Sequence, residues 1–114
     1  MGAGPLHGRS IVVTGVAGPI GAACARALDS MGAAVIGVDA ERAFAHCETF
    51  LRADLADPEA ADAVAAALPE GVAGLACLDW PEGLPAAAFL ARALVAPRRL
   101  AGAVRLAPGA GVVV

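Results

Sequence analysis

The 114-residue chain contains no lysine, tyrosine, asparagine or glutamine. Any mechanism that needs one of those side chains is therefore excluded for this polypeptide by itself. Charge is scarce as well: 17% of the residues are charged, and the formal net charge is -3. That balance is too small, and of the wrong sign, for a nucleic acid or an acidic membrane as partner. The three cysteines, Cys24, Cys47 and Cys77, lie far apart and form no CxxC pair. With only His7 and His46 besides, no metal-ligand spacing exists. Reduced, mostly buried thiols and no metal are expected. The first ten residues hold no long apolar run behind a cationic start, so no signal peptide is expected. No uninterrupted apolar stretch is long enough to span a bilayer. A soluble, cytoplasmic protein is the expectation.

What is present is apolar and small. Hydrophobic residues make up 59% of the chain, and about a quarter of all positions are alanine. Alanine favours helices and their close packing on a sheet. So little charge on so short a chain suggests apolar surface meant for a partner. The length gives one modest domain over residues 1–114.

Strand and helix patterns alternate. Ser10 to Thr14 reads as a buried parallel strand, and Ala34 to Val38 as a second, ending at Asp39. Between them, Ile20, Cys24, Ala27, Leu28 and Met31 share one helical face, and Pro19 suits the first helical position. A helical turn is expected over Ala40 to Cys47, then a weaker strand at Thr49 to Arg52. Asp57-Pro58-Glu59 starts a helix whose apolar face is Ala61, Val64, Ala65 and Leu68. Val72 to Leu78 reads as a fourth strand. Ala86 to Leu106 reads as one long helix or two, with Pro97 as the kink or break. Phe89, Ala93 and Leu100 are placed on one side of it, and Leu90, Leu94 and Val104 on another. Gly109 to Gly111 is read as a turn, and Val112 to Val114 as the start of a fifth strand, where the chain stops. This alternation predicts an α/β fold: a three-layer, doubly wound parallel sheet with helices on both faces.

The local signal that carries chemistry is Thr14-Gly15-Val16-Ala17-Gly18-Pro19-Ile20-Gly21, between a strand and a helix. Gly15 lets the chain turn sharply, Gly18 lets a phosphate approach the backbone, and Gly21 lets the helix pack on the sheet. Free N–H groups at the helix start favour an anion. Asp39 closes the second strand about 20 residues further on, where an acid accepts hydrogen bonds from the hydroxyls of an adenosine ribose. It repels a 2′-phosphate, which favours NAD over NADP, although Arg42 nearby pulls weakly the other way. Asp39 as a mere cap of the following turn is the competing reading.

Gly8 to Gly15, the glycine pattern, the Val-Ile-Gly-Val-Asp strand and Ala53-Asp54-Leu55 together resemble a short-chain dehydrogenase/reductase, similar to its bacterial hydroxysteroid dehydrogenase-like branch. The resemblance implies a Rossmann-type fold with strand order 3-2-1-4-5. It implies cofactor contacts at Gly15, Gly18, Pro19, Ile20, Gly21 and Asp39, with Asp54 and Leu55 beside the adenine. Three departures stand out. The glycine spacing is TGxxGxxG, as in extended members of the family. Cys77-Leu78-Asp79-Trp80 replaces the usual Asn-Asn-Ala-Gly. The Ser, and the Tyr and Lys of the family's YxxxK motif, are missing, and neither Ser10 nor Ser30 is in a position to substitute. No catalytic residue is therefore expected in this chain.

Three readings remain open: the nucleotide-binding half of a dehydrogenase, a noncatalytic module acting through association, and a degenerate chain. For the second, the open edge of the fifth strand and the 86–106 helix, apolar on two sides, together predict a homo-oligomer or partner complex. Trp80 is expected as a loop anchor. Arg92, Arg98, Arg99 and Arg105 are expected to form a solvated helix face. Asp79 and Glu82 do not make an acid/base pair.

Overall fold

The computed structural model describes residues 4–42, 46–57, 59–78, 85–87 and 96–113. Five strands form one wholly parallel sheet: β1 (Ser10–Thr14), β2 (Ala34–Asp39), β3 (Thr49–Arg52), β4 (Val72–Cys77) and β5 (Leu106–Val113). Their order across the sheet is β3-β2-β1-β4-β5, as the family resemblance implies. Three helices are bounded among the described residues: α1 (Pro19–Ser30), α2 (Ala60–Ala67) and α3 (Ala96–Ala103).

Burial explains the run of β-branched residues in β1 and β2. Successive side chains of a strand point to opposite faces, and here both faces are covered. Val13 and Val35 pack with Val16, Ala25 and Ala33 on the α1 side. Val12, Ile36, Val38 and Leu75 pack with Val64 and Leu100 on the side of α2 and α3. Three layers result. Each such buried side chain contributes about 1.5–3 kcal/mol relative to exposure. The face expected for α2 is the one that is buried: Ala61, Val64, Ala65 and Leu68 are all less than 9% exposed. Ahead of α2, Asp57 Oδ1 accepts from the Glu59 N–H at 3.0 Å.

Four expectations are corrected. The described part of 40–47 contains bends and a turn but no helix, and residues 43–45 lie outside the described residues. The helix expected to run to Leu106 ends at Ala103, because Leu106 is already paired with Val72 in the sheet. Pro97 stands in the first turn of α3, where its missing N–H costs nothing. Residues 88–95, with Phe89, Leu90, Ala93 and Leu94, lie outside the described residues. Leu100 and Val104, assigned above to two sides, share one core, as a spacing of four residues dictates. Finally, Gly109 to Gly111 is not a turn before the fifth strand but part of it. The register shifts there: Val72 pairs with Leu106 and Gly74 with Gly111, so β5 bulges, and Gly109 takes φ +77°.

Candidate functional site

The site forms where β1 and β2 end. Gly15 turns the chain off β1 at φ +73°, a left-handed conformation that a side chain disfavours. Its N–H donates to the Val38 carbonyl at 2.9 Å, which ties the turn to β2. The Gly18 N–H donates back to the Gly15 carbonyl at 3.1 Å, and α1 begins at Pro19. No side chain caps α1. Pro19 has no N–H, and the Ala22 N–H is used by the Gly18 carbonyl at 2.8 Å. Among the described residues, the Ile20 and Gly21 N–H groups have no acceptor in the chain. They carry the positive end of the helix dipole.

The two other glycines of the turn differ in what they are for. A Cβ at Gly21 would overlap the Gly15 carbonyl oxygen, so packing inside the chain demands glycine there. Gly18 has ordinary extended dihedrals, φ -79° and ψ 165°. A Cβ there would meet only the Gly15 oxygen, at 3.4 Å, an ordinary contact. Among the described residues, nothing requires Gly18 to be glycine.

Asp39 is held from several directions. Its Oδ2 accepts from the Ala17 N–H at 3.0 Å and its Oδ1 from the Glu41 N–H at 3.0 Å. The second bond is the local cap; the first spans to the glycine turn. The carboxylate thus caps the turn that follows it and joins that turn to the glycine turn. The backbone beyond it is fastened to β3: the Ala53 N–H donates to the Asp39 carbonyl at 2.9 Å, and Arg52 Nε to the Ala40 carbonyl at 3.0 Å. No motif in the sequence points to Arg52. The parallel register that sets Asp39 opposite Arg52 was the available signal.

The expected site residues fall into two groups. Gly15, Gly18, Pro19, Ile20, Gly21 and Asp39 are brought together through the Ala17–Asp39 bond. Ile20 is 66% exposed although apolar. Asp54 and Leu55 follow β3, one strand further from β1. Asp54 is exposed, and its Oδ1 accepts from the Ala56 N–H at 3.0 Å. Leu55 is buried in the core on the α2 side. A cleft of about 480 Å³ runs between β3 and α2, lined by Phe50, Arg52, Asp54, Asp57, Ala60 and Val64 among others. It reaches Asp54 but not the glycine turn.

Other chemistry is sparse. Among the described residues, no cluster of His, Cys, Asp and Glu is placed to hold a metal. Cys77 is buried, and Cys24 and Cys47 are half-buried. Burial pushes the Cys47 thiol pKa up, Asp29 adds to the rise, and a hydrogen bond from the Gly37 backbone opposes it. His46 sits in a turn at φ 62° with Nδ1 3.5 Å from Asp29 Oδ2. Trp80, Asp79 and Glu82 lie outside the described residues. Of the four arginines expected to form a solvated face, Arg92 lies outside too, while Arg99 pairs with Asp62 at 3.0 Å. No helix among the described residues is long and apolar enough to cross a membrane.

A doubly wound parallel sheet with a glycine turn between β1 and α1 and an acid closing β2 defines a Rossmann-type domain of the short-chain dehydrogenase/reductase kind. The model of the NAD dependent epimerase/dehydratase family matches residues 11–113. The chain belongs to that family. Coniferyl-alcohol dehydrogenase from Pseudomonas sp. (strain HR199 / DSM 7063) is 47% identical over 70 residues, covering 61% of this chain and 28% of that protein. A metagenomic short-chain oxidoreductase solved in complex with NADP is 26% identical, with a TM-score of 0.69, over 91% of this chain and 56% of that one. A 4-hydroxyisoleucine dehydrogenase complexed with NADH has the same fold, at 20% identity and a TM-score of 0.70, over 82% of this chain and 47% of that one. The chain thus spans about a quarter of the curated relative's length and about half of these solved structures.

Proposed function

We propose that this chain binds a nicotinamide dinucleotide across the carboxyl ends of β1, β2 and β3, and prefers NAD to NADP. Gly18 carries this reading. Its conformation and its surroundings in the chain leave glycine unexplained, and a phosphate resting against the backbone explains it. The Ile20 and Gly21 N–H groups, unused by the chain, are the donors for that phosphate. Pro19 keeps the helix start rigid, and Ile20 gives the cofactor an apolar wall. Each Asp39 oxygen has a second lone pair for a ribose hydroxyl, and its charge disfavours a 2′-phosphate. Asp54 borders the adenine, and Leu55 contributes through its backbone because its side chain is buried.

When bound, the nicotinamide ring gives or takes a hydride in the interconversion of an alcohol and a carbonyl, the family's parent reaction. This chain's residues bind and orient the cofactor. The proton transfer to the substrate oxygen falls to groups outside it, because it has neither Tyr nor Lys. Ser10 opens β1 and Ser30 closes α1, both at the opposite ends of their elements from the glycine turn.

A second reading, a noncatalytic module working through association in the cytoplasm, is favoured by the edge of the sheet. Among the described residues, β5 pairs with β4 alone, and Val112 on it is 41% exposed. A second copy of the chain is the partner this reading requires, meeting it at β5 and the 86–106 segment.

Calorimetric titration of the purified chain with NAD+, then NADP+, tests the first reading. Saturable NAD+ binding, weaker with NADP+ and reduced about tenfold by Asp39→Ala, is expected, since a charged hydrogen-bond acceptor is lost. A folded chain that binds neither nucleotide overturns it and favours the association module. A monodisperse monomer in sedimentation at micromolar concentration overturns the oligomer.

A further inference from the structure

Arg52 is a cation fastened beside Asp39, the acid proposed to bind the ribose. Its backbone stands directly opposite Asp39 in the β2–β3 register. Paired residues of neighbouring parallel strands point to the same face, so both side chains lie on the α1 side of the sheet. Packing agrees: Phe50, two residues earlier on β3, belongs to the core on that side. Arg52 Nε donates to the Ala40 carbonyl at 3.0 Å, which holds the guanidinium across the turn that follows Asp39. Among the described residues it forms no ion pair, with Asp39 or with any other acid. The side chain is exposed, so its two terminal amino groups remain available to a ligand.

Two opposed charges therefore flank the place where the adenosine ribose is proposed to lie. A carboxylate repels a 2′-phosphate, whereas a guanidinium forms paired, charge-assisted hydrogen bonds with one. We propose that Arg52 sets the cofactor selectivity of this site. It positions the Asp39 turn through Ala40, and it offers its free guanidinium edge to a 2′-phosphate. NADP+ then binds more weakly than NAD+ without being excluded. This inference rests on the nucleotide-binding reading above and extends it to a residue on β3, outside the glycine turn and the end of β2.

The test is the ratio of NADP+ to NAD+ affinity, measured by calorimetry on the full chain and on Arg52→Ala, Arg52→Lys and Arg42→Ala. Arg52→Ala is expected to lower NADP+ affinity about tenfold more than NAD+ affinity, the size of one charged hydrogen bond. Arg52→Lys keeps the charge and is expected to recover most of the NADP+ binding while leaving the Ala40 carbonyl without its planar donor. Arg42→Ala is expected to leave the ratio unchanged. If Arg52→Ala weakens both nucleotides equally, the residue only holds the turn and the selectivity role is overturned. If Arg42→Ala carries the NADP+ effect instead, the role belongs to that residue. Should Arg52→Ala fail to fold, Arg52→Gln removes the charge at similar length and is read the same way. An unmodified chain that binds neither nucleotide overturns the nucleotide reading itself, whereas one that binds NAD+ with a ratio insensitive to Arg52 overturns only this inference.

Discussion

The carboxyl ends of β1 and β2 and the pair formed by β4 and β5 are held by different means. At β1 and β2 the chain is laced by hydrogen bonds that cross between elements: Gly15 to Val38, Ala17 to Asp39, Ala53 to Asp39 and Arg52 to Ala40. Little there can move without breaking a directional bond. At β4 and β5 the register shifts, the strand bulges and Gly109 adopts a positive φ. That half is held by its ladder, by the bonds at Arg105 and by apolar packing, with Leu100 fully buried and Val104 and Leu75 beside it. Directional bonds fix positions to tenths of an ångström, which a ligand site needs. Packing tolerates adjustment, which an edge strand can use.

Substitutions separate the two halves. Leu100→Ala is expected to cost the most stability, about 3 kcal/mol, because the side chain is fully buried between α3 and the sheet. Chemical denaturation measures the loss, and the folded fraction is expected to bind NAD+ as before. Gly21→Ala reverses that pattern. It is expected to cost about 2 kcal/mol, because its Cβ meets the Gly15 carbonyl, and to abolish nucleotide binding by displacing α1 from the turn. A Gly21→Ala chain that binds normally would break the distinction drawn here. The smallest effect belongs to Cys47, whose thiol pKa is raised by burial and then by Asp29 above the ordinary 9.0. Its contribution to stability is fully present below that value and is lost as pH rises through the higher folded value. Denaturation midpoints from about pH 8 to about pH 10 are expected to fall further for the parent chain than for Cys47→Ala.

The same contrast governs what could be read from the residues alone. β1, the glycine turn, α1 and β2 were legible because short-range chemistry determines them: a β-branched run needs two covered faces, and a proline suits one helical position. Gly15 and Gly21 carried their reasons in their spacing. The boundary between α3 and β5 was not legible, because Ala103 to Leu106 could continue a helix as well as begin a strand. Pairing with Val72 decides it, and that partner is 34 residues away in sequence. The bulge at Gly109 was mistaken for a turn for the same reason, since a positive φ occurs in both. At the candidate site, Asp39 is legible as a candidate from its place at the end of a strand. Its bond to the Ala17 N–H and the arginine opposite it depend on the sheet register, which follows only once the strand order is known.

One residue joins the two kinds of attachment. The Arg105 carbonyl accepts from both the Gly71 and Val72 N–H groups, at 2.9 and 3.0 Å, while its guanidinium donates to the Leu68 carbonyl at 2.7 Å. The end of α2, the start of β4 and the start of β5 therefore share a single knot. Such a knot cannot untie one strand at a time. Opening the start of β5 frees the Leu68 carbonyl in the same event, so the amides of Gly71 and Val72 are expected to exchange with solvent together with those at the end of α2. The start of this outer strand and the end of the helix behind it are thereby fastened through one residue.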